Sequence, residues 1–282
     1  SDYERKMIFK NDRGYNIDAI SNDGTLIALS KTNSRYDSDI FLYNIKSGQY
    51  TAVNENNENV SQSAQYFSSD SKKLYLLTDQ NSEFQYLVEY NIEDRDLEII
   101  YKPEWDVKFA FLSPKKNYRV LAVNKDSKRT IEIFDLNNNQ FLELPGLDDF
   151  IIWGAHFSRD DKQIAFYAET GRSPVDIYHF DLDNKSKRRL TWNLNNNINE
   201  SDLVKGRVVR FNSFDNIEIP GILYKPQVAS NSYKVPAMIW VHGGPGGQSM
   251  VGYRDDIQFL VNHGYAIYAI NNRGSGGYGK TF

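Results

Sequence analysis

The residues best suited to chemistry in this 282-residue chain are His242-Gly243-Gly244-Pro245-Gly246-Gly247, which directly follow the apolar run Ala237-Met238-Ile239-Trp240-Val241. Glycines let a backbone approach a ligand closely and turn its N–H groups outward. Outward N–H groups serve two kinds of chemistry: they stabilise the oxyanion of acyl transfer, or they cradle phosphate. Phosphate is the weaker reading, because the 242–247 loop has neither the G-x-x-x-x-G-K-[ST] nor the G-x-G-x-x-G pattern.

The elements that must position this loop read as a βαβ unit. The uninterrupted apolar run 237–241 predicts a strand covered on both faces. A helix follows, with Asp255 and Asp256 at its positive N-terminus, Ile257, Leu260 and Val261 as its apolar stripe, and Gly264 as its stop. A second strand, Ala266-Ile267-Tyr268-Ala269-Ile270, leads to Asn271-Asn272-Arg273-Gly274-Ser275-Gly276-Gly277-Tyr278-Gly279. Upstream, 207–211 and 217–224 predict a hairpin around Asp215-Asn216. A loop at the carboxyl end of a parallel strand is where open α/β sheets place their ligands, and His-Gly-Gly in that position matches the oxyanion loop of α/β-hydrolases.

The first two thirds of the chain repeat. Ser21, Ser68, Ser113 and Ser158 each open a polar turn, at spacings of 47, 45 and 45 residues, and an apolar run follows each turn: Leu26-Ile27-Ala28-Leu29, Leu74-Tyr75-Leu76-Leu77, Val120-Leu121-Ala122-Val123 and Ile164-Ala165-Phe166-Tyr167. Each unit carries a second apolar run ending in Asn or Asp, then a turn and a weaker strand. Four short strands per repeat of about 45 residues is the period of a β-propeller blade; a β-sandwich accounts for the strand spacing but not for the recurring turn. Met7-Ile8-Phe9 predicts the closing strand of an earlier blade. About four blades are expected over residues 1–197, with Asn193–Asn197 as linker. The fold class is therefore mostly β: propeller blades, then over 198–282 the N-terminal part of an α/β-hydrolase domain. Further blades are expected upstream, leaving an open sheet edge for self-association.

His242-Gly243-Gly244-Pro245, Asn272-Arg273-Gly274-Ser275 and Gly277-Tyr278-Gly279, together with the preceding propeller, resemble the prolyl oligopeptidase family of serine peptidases, especially its acylaminoacyl-peptidase and dipeptidyl-peptidase branches. Those proteins join an N-terminal propeller to a C-terminal α/β-hydrolase domain. The resemblance implies peptide substrates, no cofactor, a backbone oxyanion donor at Gly244, and supporting roles for His242, Gly243 and Arg273 around the substrate. His242 is not expected to be the catalytic base, since the α/β-hydrolase order is Ser, acid, His. No G-x-S-x-G occurs, and neither Ser249 nor Ser275 lies in a nucleophile elbow. The nucleophile, acid and base are accordingly expected outside this chain, which by itself is expected to be inactive. No Glu-Glu pair of the kind dipeptidyl members use is present. Two alternatives from other classes remain: an interaction module attached to a degenerate hydrolase, and an esterase on the same scaffold.

Composition narrows the field. Net charge is −4 with no basic stripe, which gives nucleic acid little to bind. There is no cysteine, so disulfides and thiolate sites are excluded, and the cytoplasm and a disulfide-free periplasm fit equally. No apolar run reaches membrane-spanning length. His156, His179 and His263 are scattered without metal-ligand spacing, and Asp148-Asp149 and Asp160-Asp161 read as turn chemistry.

Overall fold

The structure is a computed structural model that describes residues 5–53, 59–244 and 246–282. The chain divides into two compact units, Ser1–Phe111 and Leu112–Phe282.

The first unit holds two antiparallel meanders. One is β1 (Asn16–Ile20), β2 (Leu26–Ser34), β3 (Asp37–Asn44) and β4 (Tyr50–Ala52); the other is β5 (Gln62–Phe67), β6 (Lys73–Thr78), β7 (Tyr86–Asn91) and β8 (Leu97–Tyr101). Strand β9 (Asp106–Leu112) runs to the division. Alternate residues of neighbouring strands, among them Ala28, Ile40, Leu74, Leu76, Val88 and Tyr90, pack into one core. Each fully buried Leu or Ile contributes about 2 kcal/mol.

The second unit begins with β10 (Tyr118–Lys125), β11 (Lys128–Asp135) and β12 (Gln140–Phe141), again an antiparallel meander. A complete four-stranded meander follows: β13 (Ile151–Phe157), β14 (Gln163–Glu169), β15 (Asp176–Asp181) and β16 (Ser186–Arg189). The recurring four-stranded repeat is thus observed. The expected strand at Met7-Ile8-Phe9 is not: those residues form no strand and are mostly exposed.

The repeated serines explain the period. The backbone N–H of Ser21, Ser68, Ser113 and Ser158 each donates to the carbonyl five residues on at 2.9 Å. Each serine hydroxyl accepts from the N–H of that same residue: Leu26 at 2.9 Å, Lys73 at 3.0 Å, Tyr118 at 3.1 Å and Gln163 at 3.0 Å. The fourth residue of each turn, Gly24, Ser71, Lys116 or Asp161, has φ between +61° and +70°. Neighbouring turns are linked as well: Asp23 N donates to Ser71 Oγ at 3.2 Å, and Ser113 Oγ donates to the buried Asp161 Oδ2 at 2.6 Å. Asp160-Asp161 is turn chemistry, as its sequence suggests.

The C-terminal sheet contains β17 (Arg207–Asn212), β18 (Glu218–Tyr224), β19 (Ala237–Val241) and β20 (Ala266–Ile270), in the spatial order β17-β18-β20-β19. Strands β19 and β20 are parallel and joined through α1 (Asp255–Asn262). Gly264, at φ +90°, ends the helix; its N–H bonds to Val261 O and that of Tyr265 to Leu260 O, the paired closure that a left-handed C′ residue allows. Ile257 and Val261 are buried against Ile222, Tyr224 and Ile267. Gln258 is buried as well, its amide bonding both N and O of Val204.

Among the described residues the C-terminal segment forms this one four-stranded sheet with its one helix, and no α/β-hydrolase domain is present. The expectation that β19 is covered on both faces is also overturned. The strand lies at the sheet edge, with Ile239 63% and Val241 65% exposed. A continuous apolar run identifies a strand, but its covering depends on which neighbours pack there, and that information is not local.

Candidate active site

The glycine loop leaves the carboxyl end of β19, as expected. Gly243 and Gly244 are exposed, and Gly244 has φ +112°, a conformation open to glycine and strained for other residues. Pro245 lies outside the described residues. The two glycine-rich stretches meet: Gly276 N donates to Gly247 O at 3.0 Å.

His242 is half-buried, and its Nε2 faces the second glycine-rich stretch. Nε2 lies 2.8 Å from Ser275 Oγ, which in turn donates to Asn272 O at 2.6 Å; Nδ1 lies 3.1 Å from Gly243 O. A hydroxyl already donating to a carbonyl accepts from the histidine, so the ring ties the two loops together. Arg273 is exposed and reaches the β17–β18 hairpin. There it pairs with Asp215, whose carboxyl it holds below the usual range by hydrogen bonding, and its guanidinium lies 5.2 Å from the Phe214 ring centroid. Of the four residues singled out in the sequence, His242, Gly243 and Gly244 are contiguous in the loop, while Arg273 braces a hairpin beside it.

Gly274-Ser275-Gly276-Gly277-Tyr278-Gly279 does spell G-x-G-x-x-G. No helix opens within it among the described residues. No cluster of three potential metal-ligating side chains occurs among the described residues. His156 and His179 lie on β13 and β15, and His263 Nδ1 sits 2.8 Å from Phe259 O at the end of α1.

A cleft of about 210 Å³ opens beside His242, lined by Trp153, Glu169, Trp240, Gln248 and Tyr253. Glu169, at the end of β14, accepts from Trp153 Nε1 at 2.7 Å and from the backbone N–H of Tyr253. Burial raises its pKa, and these two bonds only partly oppose that shift. Tyr224 donates to Gly252 O at 3.2 Å, and burial pushes its phenol up to about 12, so it acts as a neutral donor.

The loops also have a buried polar support that the sequence reading missed. The β10–β11 hairpin turns through Asp126 and Ser127, at φ +49° and +65°. Ser127 is 0% exposed. Its Oγ accepts from Gln248 Nε2 at 3.0 Å and Asn271 Nδ2 at 3.2 Å, and lies 2.6 Å from Tyr278 OH. Asn124 Nδ2 donates to Gln248 Oε1 at 2.7 Å, and Asn271 Oδ1 accepts from Ser249 N at 2.6 Å. Gly277 is packed so closely that a β-carbon there would lie 2.5 Å from Asn124 Nδ2. An Asn directly after a buried apolar strand was the one available signal; nothing in Lys125-Asp126-Ser127-Lys128 distinguishes it from an ordinary hairpin turn.

Residues 6–192 match the family described as prolyl oligopeptidase, N-terminal beta-propeller domain. The chain is 32% identical over 129 residues to dipeptidyl aminopeptidase BIII of Pseudoxanthomonas mexicana, covering 44% of this chain and 19% of that protein. It is similar in fold to a Mycobacterium tuberculosis puromycin-hydrolyzing peptidase, with a TM-score of 0.79 at 14% identity, over 98% of this chain and 44% of that one. The Pyrococcus horikoshii acylaminoacyl peptidase gives 0.65 at 21% identity, over 92% and 40%. The chain therefore spans less than half the length of each of these relatives. No helix among the described residues is long and apolar enough to cross a membrane. On the family match, which takes in most of the repeats, this chain belongs to the prolyl oligopeptidase family, of which it carries the N-terminal β-propeller region.

Proposed function

We propose that this chain is part of a serine peptidase acting on short peptides, and that residues 198–282 form the start of its hydrolase domain. In this reading the backbone N–H of Gly244 donates to the oxyanion that forms when a serine attacks the peptide carbonyl. A second donor follows the nucleophile in the chain, and the serine, acid and histidine lie outside these 282 residues. His242, Gly243 and Arg273 hold the loops around the substrate. The observation that carries the proposal is the exposed Gly244 at φ +112°, at the carboxyl end of a parallel strand, locked to a second glycine loop through His242 and Ser275. Loss of one such donor lowers kcat by about 10²–10³.

The test uses the full-length protein. A fluorophosphonate probe is expected to label one serine, and short peptide amides to be cleaved. Absence of labelling in a folded protein would leave a propeller interaction module on a degenerate hydrolase and overturn the peptidase reading. Cleavage of simple esters without peptide amides would favour an esterase.

A further inference from the structure

We propose that Ser127, at the tip of the β10–β11 propeller hairpin, is a positioning residue for the oxyanion loop. The inference rests on the peptidase reading above for its catalytic consequence, but not for its geometry. A hydroxyl has two acceptor sites and one donor. Gln248 Nε2 and Asn271 Nδ2 occupy the acceptor sites of Ser127, so its proton goes to Tyr278 OH. One buried oxygen thus fixes three side chains, and each fixes a different part of the site. Gln248 directly follows Gly247 at the exit of the oxyanion loop. Asn271 holds the backbone of the next residue, accepting from Ser249 N at 2.6 Å and donating to Ser249 O at 3.0 Å. Tyr278 belongs to the second glycine loop, and burial raises the pKa of its phenol.

The hairpin itself is held in place independently of that hydroxyl. Val251 N donates to Ser127 O at 2.8 Å, and Asp126 pairs with Arg210 of β17 at 2.5 Å. The backbone therefore docks the tip, and the hydroxyl then orients what surrounds it. A propeller residue in this position sets the geometry of a catalytic loop without touching substrate. Displacing such a loop by a fraction of an ångström is enough to slow turnover about tenfold, because oxyanion stabilisation depends on donor placement.

The experiment compares Ser127→Ala and Ser127→Gly in the full-length protein. Both remove the hydroxyl, while Gly also relaxes the left-handed backbone, so loss of folding does not confuse the result. Hydrogen exchange at the Ser249 amide is expected to quicken about tenfold in both variants, with the Val251 amide protected as in the wild type. For peptide hydrolysis, kcat is expected to fall about tenfold with KM within about twofold. Unchanged Ser249 exchange in both variants overturns the proposal. So does an effect in Ser127→Ala that is absent in Ser127→Gly, which would assign the role to turn strain; loss of protection at Val251 does the same by showing that the hydroxyl holds the fold. If the wild-type protein hydrolyses no peptide, the peptidase reading fails, and the exchange rates still decide whether Ser127 positions the loop.

Discussion

The turns of the repeats and the glycine loops of the C-terminal sheet solve the same problem in opposite ways. Both must satisfy backbone N–H and C=O groups where regular pairing ends. In the repeats the solution is local: a serine closes its own turn on the residue five positions later. In the glycine loops it is remote, with Gln248 and Asn271 bonded to a serine more than a hundred residues earlier in the chain. A locally closed turn tolerates duplication, since each copy carries its own partners. A loop closed from a distance has one valid setting, which suits a site where donors must point at a reacting atom.

Substitutions separate the two designs. The largest effect is expected at the Ser113 turn, which closes on Tyr118 as the other turns close but sends its hydroxyl proton to the next repeat. Ser113 lacks an Asp two residues on and instead bonds the buried Asp161 of the next repeat, which also accepts from Lys115 N at 3.1 Å. Asp161→Ala, by leaving these donors unpaired and placing Ala at φ +62°, is expected to destabilise by about 3 kcal/mol in urea unfolding. It should be strongly non-additive with Ser113→Ala. Gly277→Ala comes next, at about 2 kcal/mol, from a strained φ of +84° and from displaced Asn124 and Gln248 amides. A double-mutant cycle with Asn124→Ala should show coupling, and one with Asp161→Ala should not. Additivity in the first cycle would mean that the glycine loop is not held from the hairpin.

The smallest effect is a slope. Burial raises the pKa of Glu169 in the folded state, so the folded protein holds that proton more tightly than the unfolded chain. Its contribution to stability therefore declines as pH rises from the unfolded value near 4.5 through the raised folded value. Glu169→Gln is expected to remove that part of the decline, while lowering stability throughout by setting an amide N–H against one of two donors, Trp153 Nε1 and Tyr253 N. An unchanged pH profile in the variant would show that the shift lies elsewhere.

The same contrast explains what could be read in advance. The repeats were legible because Ser, a polar turn and an apolar run recur together, and each interaction spans only a few residues. Helix α1 was legible for a similar reason, from Asp255 and Asp256 at its start to Gly264 at its stop. The place of His242 and Gly244 in a loop after an apolar strand was legible, but the contact of His242 with Ser275 joins two motifs whose spacing carries no distance information. Ser127, Asn124 and Glu169 were not legible at all. Their types are ordinary for strands and turns, and only packing brings them to the loops. The edge position of β19 escaped for the same reason, since apolar content says nothing about strand order.

Spatial order in the C-terminal sheet also differs from the order of synthesis. Strand β20, made after β19, lies between β18 and β19 and is the strand that pairs with β19 among the described residues. On the ribosome, residues 237–241 therefore emerge before residues 266–270, the strand with which they pair. The glycine loop at 242–247 is likewise born before the 271–279 stretch that braces it. The hairpin tip at Asp126-Ser127 has by then long been made, so the hydroxyl to which Gln248 and Asn271 bond precedes the loop it braces.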